Sequence, residues 1–191
     1  MDTATQPVVE PTARFLWDVE RYEEAIVRGV FTTEDPIELI DGELITHMAP
    51  QYSTHATAVQ LASIASDRVF GDGYYIRQQV PLHLGSRSMP EPDVAVVRGR
   101  VRDFARAHPT SAELVVEVAD SSLAIDRGRK LRLYAREGIL EYWIVNLTED
   151  CVEVCRQPVG ENYADVRTYR RGENIATGPG SQPVAVADLL P

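Results

Sequence analysis

The sequence predicts an α+β or mixed α/β fold, a sheet with helices laid on it. Three observations carry that expectation. Apolar residues recur at helical spacing in three separate segments, while most remaining apolar runs alternate or are continuous. The run AELVVEVAD (112–120) is apolar on both faces apart from Glu117, which predicts a central strand. From residue 141 onward, three strand-like runs follow one another across short polar or Gly/Pro turns, the pattern of hairpin-connected strands.

Residues 1–14 carry Pro7 and Pro11 among polar residues and read as a flexible arm; residues 15–191 read as one domain. WDVERYEEAIVRG (17–29) has Val19, Tyr22 and Ile26 at helical spacing, Asp18 as a cap and Gly29 as a stop. In IELIDGELITHM (37–48), two alternating runs meet at Asp41-Gly42, a strong hairpin signal. A second helix spans 53–70, with Val59, Ala62, Ala65 and Val69 on one stripe and GDG behind it. YYIRQQVPLHL (74–84) reads as a strand with Pro81 at an edge or bulge. EPDVAVVRG (91–99) reads as a short strand beginning at or near Asp93, and a polar link (101–110) leads into 112–120. DRGRKLRLYAREG (126–138) is a third helix, with Asp126 as a cap, Leu131, Tyr134 and Ala135 facing inward, and Gly138 as terminator. EYWIVN (141–146), CVEVCRQ (151–157) and YADVRTYR (163–170) are the closing strands, followed by a polar Pro/Gly-rich tail.

Composition narrows the function. No stretch reaches the ~18 apolar residues of a membrane helix, and the N-terminus lacks a basic-then-apolar leader, so a cytoplasmic protein without membrane contact is expected. Cys151 and Cys155 stand about 13 Å apart if their segment is a strand, too far to bridge. Nineteen basic against twenty-nine acidic residues give a net charge of −10, which argues against broad electrostatic binding to nucleic acid. Only one basic residue is lysine, Lys130. Arginine usage explains the bias but not the retained lysine, whose compact ammonium arginine cannot replace.

Asp93 opens one strand and Glu117 lies near the end of the next. If these strands are antiparallel neighbours, the two carboxylates meet at one end of the sheet. A Glu inside LVVEV is costly to bury alone, so it needs a cation, a partner or a route to water. Two converging carboxylates suit Mg²⁺ or Mn²⁺; the plainer alternative is an ion pair with Arg77. Lys130 falls one turn into the helix that follows, and could equally form a surface pair with Asp126. Glu38 is a third acidic candidate, though its spacing fits an outward-facing strand residue. His55, in the first turn of the second helix, could touch a phosphate or water, or simply be polar at a helix start.

The ordered set IELIDGELI, His55, PEPDVAVV, ELVVEVADSS, DRGRK and LYAREGILEYWIVN resembles the Uma2 family, within the PD-(D/E)XK nuclease superfamily. The resemblance runs from about residue 17 to the C-terminus. It implies a restriction-endonuclease-like central mixed sheet flanked by helices. It also implies a Mg²⁺ site from Asp93 and Glu117, with the Val118 carbonyl as a further ligand, and matches Glu38 to an additional acidic position. In one respect the chain departs from the superfamily: the position for the motif lysine is Ala119, and Lys130 on the following helix stands in its place.

The function expected from residues and resemblance together is metal-dependent hydrolysis of DNA phosphodiesters. Asp93 and Glu117 hold the metal, and Lys130 positions or deprotonates the attacking water and neutralises developing charge. Gln79 orients water or phosphate, and Arg127, Arg129 and Arg132 are candidate DNA contacts unless they form a solvated helix face. A homodimer is expected from the family and from the two-fold symmetry of duplex DNA. A catalytically silent nuclease-fold interaction module is the alternative. A glycosidase using the carboxylate pair is disfavoured by the sparse aromatics.

Overall fold

The computed structural model describes residues 14–32, 35–46, 52–177 and 182–191. The expected arm therefore lies outside the described residues except for Arg14, as do positions 47 and 48 of the expected hairpin.

Six strands form the central sheet in chain order: β3 (Tyr74–Gln78), β4 (Val94–Arg98), β5 (Leu114–Ala119), β6 (Glu141–Asn146), β7 (Cys151–Val159) and β8 (Asn162–Arg170). All neighbours pair antiparallel except β5 and β6, which are parallel because a helical crossover joins them. The sheet is mixed, as the sequence predicts, and β5 and β6 occupy its middle.

Alternation along β5 sorts its side chains between two cores. Leu114, Val116 and Val118 pack with Ala58, Val59, Ala62 and Ala65 of helix α2 (Ser53–Phe70) on one face. Val115 and Ala119 pack with Leu133, Tyr134 and Ala135 on the other. Glu117 belongs by parity to that second face. The N-terminal helix α1 (Val19–Val27) is capped by Asp18, whose carboxylate accepts from the Arg21 backbone N–H. β1 (Ile37–Ile40) and β2 (Glu43–Thr46) form the expected hairpin. Asp41 and Gly42 both have positive φ, at 53° and 79°, which matches a type I′ turn. A side chain at Gly42 would also meet Leu16 and Trp17 at 2.9 Å. A short two-stranded ladder, β9 (Asn174–Ile175) with β10 (Val184–Ala185), closes the α2 face with Leu189 and Leu190.

Two elements differ from expectation. The strand expected over 74–84 stops at Gln78, because Gln79 turns to φ 49° and Pro81 has no N–H to donate. The third helix begins earlier than 126: α3 (Leu123–Ile125) runs into a π-helical turn (Asp126–Lys130) and then α4 (Leu131–Arg136). Asp126 is therefore a buried interior residue and not the cap. Gly138, with φ 74°, ends the helical segment as predicted. Both cysteines are free and buried. No described helix is long and apolar enough to cross a membrane.

Candidate active site

β4 and β5 pair with Val94 opposite Val116, and one further step of that register sets Asp93 opposite Glu117. At this end of the sheet opens a cleft of about 810 Å³. Asp93, Glu117 and Val118 line it from the sheet, Glu38 from β1, His55 from α2, Gln79 from the loop after β3, and Asp126 and Lys130 from the π turn. Seven residues singled out in the sequence thus meet in one cleft: Glu38, His55, Gln79, Asp93, Glu117, Val118 and Lys130.

Lys130 is the centre of the charge arrangement. Its Nζ donates to Glu117 Oε1 at 3.0 Å and to Glu38 Oε1 at 3.2 Å, and it is only 2% exposed. Asp126 and Lys130, four residues apart along the π turn, lie on one helical face, and that face packs inward. Burial works against the ammonium, but Glu117, Glu38 and Asp126 together outweigh it and raise its pKa. These three carboxylates favour the protonated ammonium. Tyr134, also buried, donates its hydroxyl to Glu117 Oε1 at 2.7 Å. Glu117 Oε2 accepts no hydrogen bond among the described residues. Burial pushes the Glu117 carboxyl well above the usual carboxylate range, against the pull of Lys130.

Asp93 is held differently. Its Oδ1 faces His55 Nε2 and accepts from Gln79 Nε2, each at 3.2 Å, and its Oδ2 accepts the Val118 backbone N–H at 2.8 Å. Burial would raise its pKa, yet His55 and the Val118 N–H more than offset that and hold it below the ordinary value. The Asp93 hydrogen bond in turn raises the pKa of His55. Gln79 reaches Asp93 because its left-handed backbone turns the chain back at the strand end.

These contacts place several residues whose surroundings the sequence left open. Glu38 is not an outward-facing strand residue; it is 4% exposed and bonded to Lys130. Lys130 is not in a surface pair with Asp126. Arg77 does not pair with Glu117; its Nη2 donates to the Pro81 carbonyl and lies 3.2 Å from His108 Nδ1. Arg127 and Arg129 do not line the cleft. Arg127 grips Glu153 through Nε and Nη2 and reaches Glu149, while Arg129 pairs with Glu43. Arg132 is exposed and likewise outside the cleft. Sequence reading missed Asp126 and the Tyr134 hydroxyl as site groups. The four-residue spacing of Asp126 and Lys130 was visible, but only the packing of the helix on the sheet turns that shared face inward.

The donor set fits a hard divalent cation. Asp93 and Glu117 offer carboxylate oxygens from adjacent strands, and Glu117 Oε2 is open. Among the described residues no three His, Cys, Asp or Glu side chains cluster closely enough to hold an ion by themselves. An ion here would therefore rest on two carboxylates, a backbone carbonyl and water, the mode of Mg²⁺, which keeps much of its hydration.

Comparison with known proteins agrees with this architecture. A crystal structure of "a putative nuclease belonging to DUF820" from Anabaena variabilis ATCC 29413 superposes with a TM-score of 0.68, covering 85% of this chain and 94% of that one. At 15% identity the likeness shows a shared fold. No curated protein matches the sequence. The profile of the Uma2 family, described as "Putative restriction endonuclease", matches residues 19–184, and the chain belongs to that family.

Proposed function

We propose that the chain is a metal-dependent endodeoxyribonuclease that hydrolyses DNA phosphodiesters in this cleft. The observation that carries the reading is the charge inventory of the cleft. Glu38, Glu91, Asp93, Glu117, Asp120 and Asp126 face it, against the single ammonium of Lys130. A phosphodiester can approach such a surface only with a cation between them. Mg²⁺, or Mn²⁺ in its place, would be held by Asp93, Glu117 and the Val118 carbonyl, and supplies Lewis-acid polarisation of a phosphoryl oxygen and an acidified water.

The protein's own groups do the rest. Lys130 and Tyr134 both donate to Glu117 Oε1, which orients Oε2 toward the cleft. His55, Gln79 and the Val118 N–H fix the Asp93 carboxylate in the same way. Lys130 keeps a positive charge in a low-dielectric setting, where it stabilises charge that builds up on the phosphorane. DNA is the proposed substrate, engaged by a homodimer whose two-fold axis matches the duplex.

The test is cleavage of single- and double-stranded DNA in Mg²⁺ or Mn²⁺, with Asp93→Ala and Glu117→Gln prepared identically. Metal-dependent cleavage that both substitutions abolish supports the reading. Cleavage surviving either substitution, or no cleavage by a wild type that binds the metal, overturns it; the second result favours a silent interaction module.

A further inference from the structure

β8 is a free edge of the sheet, nine residues long. Natural edges of that length are usually guarded by charged side chains, lysine above all, by a proline or a bulge in the strand, or by a covering element. The sequence NYADVRTYR contains neither proline nor lysine and is guarded only by Asp165, Arg167 and Arg170, and among the described residues no strand pairs with its outer side. Its middle residue, Val166, is 54% exposed.

The charges around Val166 have a definite order. Asp165 precedes it and Arg167 follows it, and the two already form an ion pair at 2.8 Å. When two copies of β8 lie antiparallel and fully overlapped, the two-fold axis passes through Val166. That register sets Asp165 of each copy opposite Arg167 of the other, and Ala164 opposite Thr168. Four charges of alternating sign then share one face across the axis. A parallel in-register pairing does the reverse and stacks like charges. The charge order therefore permits the closed two-fold arrangement and penalises open stacking.

We propose that β8 is a homodimer interface, pairing antiparallel with β8 of a second copy about Val166 to make one continuous sheet across both. The occupant is a second copy because the strand is complementary to itself in the one register that uses its whole length.

Sedimentation velocity on the full chain tests this at up to about 100 micromolar. Wild type is expected to dimerise. Arg167→Asp sets acid against acid across the axis, Asp165→Arg sets base against base, and each is expected to weaken the dimer by at least ~tenfold. An equimolar mixture of the two single variants should form a heterodimer, and the double variant Asp165→Arg/Arg167→Asp should recover the homodimer. Hydrogen exchange on the unsubstituted chain is the second measurement, since outward β8 amides should gain protection as concentration rises. A monomeric wild type, single variants that dimerise like wild type, or β8 amides insensitive to concentration each overturn the proposal. Neither readout involves DNA or metal, so the edge pairing and the chemistry of the cleft fail separately.

Discussion

Lys130 Nζ and Glu117 Oε1 lie 3.0 Å apart in the interior, with the lysine delivered by a π turn and the glutamate by the central strand. Residues thirteen apart in sequence are thereby joined across the sheet–helix boundary. The same ammonium also ties in Glu38 from the β1–β2 hairpin, so one cation holds three elements together.

Removing that cation should affect stability and rate together. Lys130→Met leaves Glu117 and Glu38 buried without their counter-charge, a loss of about 3–5 kcal/mol at neutral pH. Urea denaturation measures it. Lys130→Ala should also lower DNA cleavage by about 10²–10³-fold, as for the loss of one electrostatic donor. Lys130→Arg should rescue neither property, because a planar guanidinium does not fit the ammonium's two-carboxylate seat. A variant with wild-type stability would refute the central role of this pair.

Metal binding should release a proton. Burial raises Glu117 well above 4.5, so in metal-free protein it keeps its proton to higher pH than an exposed glutamate. A divalent ion requires the ionised form and displaces that proton. Mg²⁺ affinity is expected to rise as pH increases above about 4.5. Calorimetry in buffers of different ionisation enthalpy reads the proton count. Glu117→Gln should abolish both the binding and the buffer dependence.

His55 should make metal-free stability fall as pH rises through neutrality. Its hydrogen bond to Asp93 raises its folded pKa above 6.5. A raised folded value means the native state binds the proton more tightly. The contribution is therefore complete below pH 6.5 and is lost as pH climbs through the folded value. Thermal unfolding of wild type and His55→Asn across this range should diverge at the acid end and converge at the alkaline end. Parallel curves would show that the His55–Asp93 contact contributes nothing.

Arg127 should be structural. It holds Glu153, which is 8% exposed, and the loss in Arg127→Ala should be about 1 kcal/mol once solvent screening at the half-exposed guanidinium is allowed for. DNA cleavage by the folded variant should match wild type. A strong loss of DNA binding without loss of stability would return Arg127 to the nucleic-acid surface.

Much of this was legible because the signals were local. The Asp41-Gly42 turn, the Asp18 cap and the helix at 53–70 depend on near neighbours in the chain, and the structure reproduces them. The isolated Glu117 and the lone lysine were legible for a related reason. A charge in an apolar run, or one residue type kept against a strong compositional bias, stands out without any knowledge of contacts.

The sequence by itself determined the element order, the central place of 114–119, and the short set of candidate site residues. Only the tertiary structure decided which charges meet. Whether Glu117 faces Arg77 or Lys130, and whether Arg127 faces the cleft or Glu153, depends on strand order and on one widened helical turn. Periodicity assigns a residue to a face of its own element. Pairing between elements is set by long-range packing, where burial makes each unpaired charge costly enough that the fold selects one partner set.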